Sequence, residues 1–145
     1  MVDQSQLEAI ATELLQIFEI NAAPVPIEII LQRPKPDMWK EVDISEISLG
    51  FLKDGGQYGP RMSLARLLAR HVIQCEWGEQ RGLKGVLRQP DANETVYALA
   101  RMLIMPLELV KSLTPTARTP LIMSMHFEVP EEDAKQRLDE LVALL

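Results

Sequence analysis

Two pairs of side chains able to do chemistry lie in one stretch, Arg61 to Cys75, RMSLARLLARHVIQC. Arg66 and Arg70 form the first pair, spaced i and i+4. On a helix such residues are neighbours, so the two guanidiniums repel mildly unless a carboxylate, a phosphate or an acidic side chain of the same chain joins them. With Arg61 they are the candidate contacts for an anion or for an acidic group of a partner. The plainer alternative is an arginine face that is solvated or paired internally. His71 and Cys75 form the second pair. An imidazole and a thiolate at this spacing can chelate a metal, with Glu94 or His126 completing the three or four ligands of a zinc site. Both residues also continue an apolar helical stripe with Leu64, Leu67, Leu68 and Val72, which favours packing in the core. A Cys–His nucleophile needs a lowered thiol pKa, and burial raises it. Gly82-Leu83-Lys84-Gly85 lacks the length and the Lys-Ser/Thr ending of a phosphate-binding loop.

The element that must carry these residues reads as a helix, capped by Ser63 and running to about Glu79 or Arg81 before Gly82. Its second face holds Ser63, Arg66, Arg70 and Gln74. Upstream, Ser5 followed by Glu8 is a capping-box pattern, and Leu7, Ile10, Ala11, Leu14, Leu15 and Phe18 predict a first helix to about Ile20. Pro26 opens a short second helix through Ile27, Ile30 and Leu31. Ile44, Ile47, Leu49 and Phe51 alternate loosely and predict one or two short strands before the tight turn Asp54-Gly55-Gly56. Downstream, Asp91 with Glu94 repeats the capping pattern ahead of Val96, Leu99, Ala100, Leu103 and Ile104. Pro106 kinks that helix or starts another through Leu107, Val110 and Leu113. Helices from Leu121 to about His126 and from Pro130 onward close the chain, the last with acidic residues in its first turn and a stripe of Leu138, Leu141, Val142 and Leu145.

At 145 residues, 47% hydrophobic and 25% charged, the composition is that of one ordinary globular domain. No apolar run approaches the roughly 20 residues that cross a bilayer, and MVDQSQLEAI lacks the basic start and apolar block of a signal peptide. The single cysteine excludes an intramolecular disulfide and fits a reducing compartment, so a cytoplasmic location is expected. A net charge of -6 disfavours general nucleic-acid binding. The charge is uneven: Arg61, Arg66, Arg70, Arg81, Lys84 and Arg88 make one stretch basic, whereas the chain after Phe127 is acidic. Trp39, Tyr58 and Trp77 could line a cleft, but aromatics at 5% are more often core than binding platform.

Three segments in order resemble the ImmA/IrrE family of zinc metallopeptidases. Arg61-Met62-Ser63-Leu64-Ala65 resembles the lead-in to that family's HExxH helix, with Arg66, Leu67, Leu68, Ala69 and Arg70 at the five motif positions. Glu94 to Pro106, ETVYALARMLIMP, is similar to the family's second block through Ala100, Leu103, Ile104, Met105 and Pro106, with Tyr97 and Leu99 where Asn and Phe are usual. Phe127, Val129, Arg137, Leu138 and Leu141 resemble its closing segment, and Pro24-Val25-Pro26 its start. The resemblance implies an α+β, predominantly helical, zincin-like fold: a small N-terminal β-hairpin or sheet packed on a central helix, followed by C-terminal helices. It implies one domain over 1–145, with a peptidase-like core at 1–105 and a C-terminal helical extension at 106–145.

The same resemblance implies that the chemistry is missing. In HExxH two imidazoles at i and i+4 hold zinc and the glutamate polarises a bound water. Arginine offers donors only and Leu67 polarises nothing, while Asn93 and Thr95 stand where the family's third ligand belongs, with Glu94 one residue off. No catalytic residue, metal or cofactor is therefore expected. The leading expectation is an inactive, regulatory protein that binds a protein partner such as a helix-turn-helix transcriptional regulator, in a prokaryotic or phage setting. The competing readings are a metal-dependent peptidase with a displaced zinc site, and a helix-turn-helix-like nucleic-acid binder built from Leu121 to Leu145. The acidic Glu131, Glu132 and Asp133 weigh against the last, because phosphate and base contacts need Lys, Arg or amide side chains there.

Overall fold

The structure, a computed structural model, describes residues 2–46 and 56–145. Its elements in chain order are α1 (Gln4–Ile17), α2 (Ile27–Gln32), α3 (Gly59–Gln74), α4 (Ala92–Ile104), α5 (Leu107–Lys111), α6 (Pro120–Phe127) and α7 (Glu131–Leu141), with short helical turns between them. There is no strand among the described residues, so the expected α+β fold with an N-terminal hairpin or sheet is corrected to a helical one. Ile44, the first of the expected strand residues, lies in a 3-10 turn, Ile44–Glu46. Ile47, Leu49, Phe51 and the turn residues Asp54 and Gly55 lie outside the described residues. The loop before them is held by isolated bonds rather than a ladder. The Val42 amide and the Trp39 indole Nε1 both donate to the Leu31 carbonyl, at 3.2 and 3.1 Å.

The centre of the molecule is α3. It buries Met62, Leu64, Ala65, Leu68, Ala69, Val72 and Ile73, and it begins at Gly59 with Pro60 in its first turn, not at Ser63, which is interior and buried. Proline suits that position because its missing N–H is one the first turn leaves unpaired. The helix stops at Gln74, short of the expected end, and a single turn Glu76–Gly78 folds back against it. A Cβ on Gly78 would come within 1.9 Å of the Val72 carbonyl oxygen, so only glycine permits this close approach. Trp39 and Trp77 are core residues, 7% and 5% exposed. Trp39 lies beside the rings of Phe18 and His71, and the Arg81 guanidinium sits 3.9 Å above Trp77.

Around α3, α1 contributes Leu7, Ile10, Ala11, Leu14 and Leu15 to the core, as its periodicity predicts. Its N-cap is Asp3, which accepts from the Gln6 amide at 2.8 Å; the expected Ser5–Glu8 box does not form. Glu8 is buried instead. α4 buries Val96, Leu99, Ala100, Met102, Leu103 and Ile104, and Pro106 ends it and caps α5. α6 and α7 pack closely on each other, joined by a tight turn in which Ser124 Oγ donates to the Val129 carbonyl at 2.6 Å.

One ion pair ties the periphery together. Arg137 of α7 is fully buried; its Nη2 donates to Glu8 Oε1 at 2.9 Å, its Nη1 to Glu8 Oε2, and its Nε to the Met105 carbonyl at 2.9 Å. The fork-to-fork geometry matches guanidinium to carboxylate and joins α1, α7 and the end of α4. Removing one partner strands a buried charge. Glu8→Ala should cost about 3–5 kcal/mol in urea unfolding, and the double variant Glu8→Ala/Arg137→Met should recover much of it. Equal losses in single and double variants would refute the coupling.

Candidate functional site

Arg66 and Arg70 lie on the face of α3 that meets α4, the most extensive helix pair among the described residues. Arg70 Nη2 donates to Asn93 Oδ1 at 3.2 Å. The Arg66 guanidinium stacks over Tyr97, 4.2 Å from the ring centroid, a cation–π contact. The partners run antiparallel: the chain rises from 66 to 70 on α3 while it falls from 97 to 93 on α4. Two guanidiniums thus form rungs between the helices, and they do not converge on a shared anion.

Arg66 reaches a second partner. Its Nη2 is 3.6 Å from Asp133 Oδ1 in the first turn of α7, and its Nε is buried with no hydrogen-bond partner. Burial pushes the Asp133 carboxyl above its usual range and Glu132 adds to this, while Arg66 and Arg101 pull it down. The remaining basic candidate, Arg61, is a clamp. Its Nε donates to the Glu128 carbonyl at 3.1 Å, and its Nη2 to the carbonyls of Val25 and Phe127 at 3.1 and 3.2 Å, with Glu28 nearby at 3.8 Å. These bonds hold the start of α2 against the end of α6 and leave little of the guanidinium for a ligand.

The candidate metal ligands are dispersed. Cys75 is buried at the end of α3, its thiol directed at the Val72 carbonyl at 3.3 Å, and burial raises its pKa. His71 is half-buried beside Trp39, and burial lowers its pKa. Glu94 is exposed on the first turn of α4, and His126 is exposed on α6, edge-on to Phe127. No group of three or more His, Cys, Asp or Glu able to hold a metal occurs among the described residues. The nucleic-acid reading meets α7 with Glu131 and Glu132 exposed in its first turn, a surface that repels phosphate.

Sequence reasoning missed the residues that complete these contacts. Tyr97 and Asn93 stood out only as departures from a motif, yet their i, i+4 spacing matches that of Arg66 and Arg70. Arg101 was not singled out. Its Nε and Nη2 bind the two oxygens of Glu140 at 3.1 and 3.0 Å, and its Nη1 donates to Gln136 Oε1 at 3.1 Å. No family model, no curated protein and no solved structure matches the chain. No helix among the described residues is long and apolar enough to cross a membrane.

Two outcomes are expected. Cys75 should react with a disulfide reagent at least about a hundredfold more slowly in the folded protein than in urea, since burial keeps it as the thiol; equal rates would contradict this placement. Asp133, with a raised folded-state pKa, contributes stability that is fully present below the ordinary aspartate value and is lost as the pH rises through the raised value. Asp133→Asn cannot ionise, so it should melt above the wild type at neutral pH, and the gain should vanish near about pH 3. A lower melting temperature at neutral pH would mean that the Arg66 pair outweighs burial.

Proposed function

We propose that the chain is a non-catalytic, metallopeptidase-like regulatory protein of the cytoplasm that acts by binding a protein partner. A helix-turn-helix transcriptional regulator is the partner class that the ImmA/IrrE resemblance suggests. The observation that carries the reading is the pair of rungs from Arg66 to Tyr97 and from Arg70 to Asn93. In the resembled family a metal ion draws these two helix faces together through ligands at i and i+4 and on the second block. Here fixed guanidiniums stand at the same spacing and supply positive charge without any metal, and one of their partners, Asn93, stands at a third-ligand position. Leu67 between them has no group that could activate water.

The reading has a chemical counterpart in what the remaining donors do. Cys75 and His71 belong to the packing of α3, and Glu94 and His126 face solvent, so among the described residues these four do not converge on one site.

Metal content and cleavage test it together. Protein purified without chelator or metal-affinity tag, before and after incubation with zinc, should hold far less than one equivalent of zinc by inductively coupled plasma mass spectrometry. Casein and purified helix-turn-helix regulators should stay intact during incubation with it. Near-stoichiometric zinc accompanied by zinc-dependent cleavage would replace this reading with a displaced-site peptidase.

A further inference from the structure

α6 inverts the pattern of a surface helix. Its sequence, PLIMSMHF, holds no Asp, Glu, Lys or Arg, and apolar side chains stand on every side of it. The one hydroxyl, on Ser124, is buried and bonded to the Val129 carbonyl. Leu121, Ile122 and Met125 are instead 57%, 40% and 65% exposed, with His126 exposed beside them. Positions 121, 122, 125 and 126 lie along one side of a helix, so these side chains form one continuous patch. A helix that is apolar all round belongs in a core, and a contiguous apolar patch left on a surface marks a contact.

The two ends of the patch carry opposite charge. Arg118 and the exposed Lys111 stand at the start of α6, where Arg118 Nε and Nη2 donate to the carbonyls of Val110 and Lys111 at 3.4 and 3.0 Å, both neutral acceptors. At the other end Glu128 follows Phe127 directly, and Glu131 and Glu132 are exposed just beyond it. A second copy rotated half a turn about an axis across the middle of α6 sets its basic end against the acidic end of the first. Leu121 of one copy then lies opposite Met125 of the other. The face is complementary to itself, as a twofold contact requires.

We propose that α6 is a self-association face on which two copies of the chain pair with their α6 helices antiparallel. Three apolar side chains from each copy cover less than the roughly 1,200 Å² of stable complexes, so the dimer is weak and reversible. This inference goes beyond the partner-binding role proposed above and does not rest on it.

Sedimentation velocity on the full chain tests it. The average mass should rise from 16.4 kDa towards twice that value between about 5 µM and about 1 mM protein, the range in which a weak contact forms. Met125→Glu changes an exposed residue, so the circular dichroism spectrum should stay the same. It should weaken association at least about tenfold, because it sets a carboxylate against Leu121 of the other copy. Glu131→Gln/Glu132→Gln should weaken association too, even though it lowers the net repulsion between two acidic copies. A mass of 16.4 kDa at every concentration, association that Met125→Glu leaves intact, or association that the double variant strengthens would overturn the proposal.

Discussion

A guanidinium with no exposure to water has to be satisfied on every side, and much of this architecture follows from satisfying one. Arg137 carries its charge into the interior, where an unpaired ion costs several kcal/mol. It is tolerable only because Glu8 faces it with both oxygens and the Met105 carbonyl takes the remaining Nε proton. Those partners belong to the first helix and to the junction of α4 and α5, so one side chain fixes the orientation of α7 against both. A hydrophobic residue there could pack as densely, but it would not dictate which neighbours meet.

Arginine recurs as the joining device across the molecule. Arg61 links the α2 entrance to the α6 exit, Arg81 pairs with Glu13 at 2.9 and 2.7 Å, Arg101 holds α7 to α4, and Arg66 and Arg70 brace α3 against α4. Helices this short expose many unpaired terminal carbonyls, and a planar fork with five donors suits them better than an ammonium. The central helix is thereby tied to its neighbours on its polar side as well as on its apolar one.

Periodicity and proline made several elements legible in the sequence. The buried faces of α1 and α4, the stop at Pro106 and the starts of α2, α6 and α7 all follow from local signals. Some of the failures share a physical cause, a dependence on partners distant in the chain, whereas the start of α3 at Gly59 was set locally by Pro60. Glu8 matches a capping box by spacing, but its carboxylate gains more from Arg137 than from an amide that Asp3 already makes unnecessary. Ile44 follows the loose alternation after Trp39 yet lies in a 3-10 turn, because alternation marks apolar residues and does not supply the neighbouring strand that pairing needs. At the candidate site the positions of Arg66 and Arg70 were readable and their partners were not: cation–π and amide contacts between helices leave no trace in hydropathy.

The pairing of Glu8 with Arg137 also has a cost in time. The two residues are separated by 129 positions, so during synthesis at about 5–20 residues per second the carboxylate is made roughly 6–26 s before its guanidinium. For that interval α1 can form its hydrogen bonds, yet the apolar face it presents lacks the helix that covers its acidic residue. Until then Glu8 is a carboxylate that cannot be buried without its partner, whereas the apolar face of α1 is covered mainly by α4 and α5, which are made earlier. The contact is therefore a closing one, in which α7 locks onto α1.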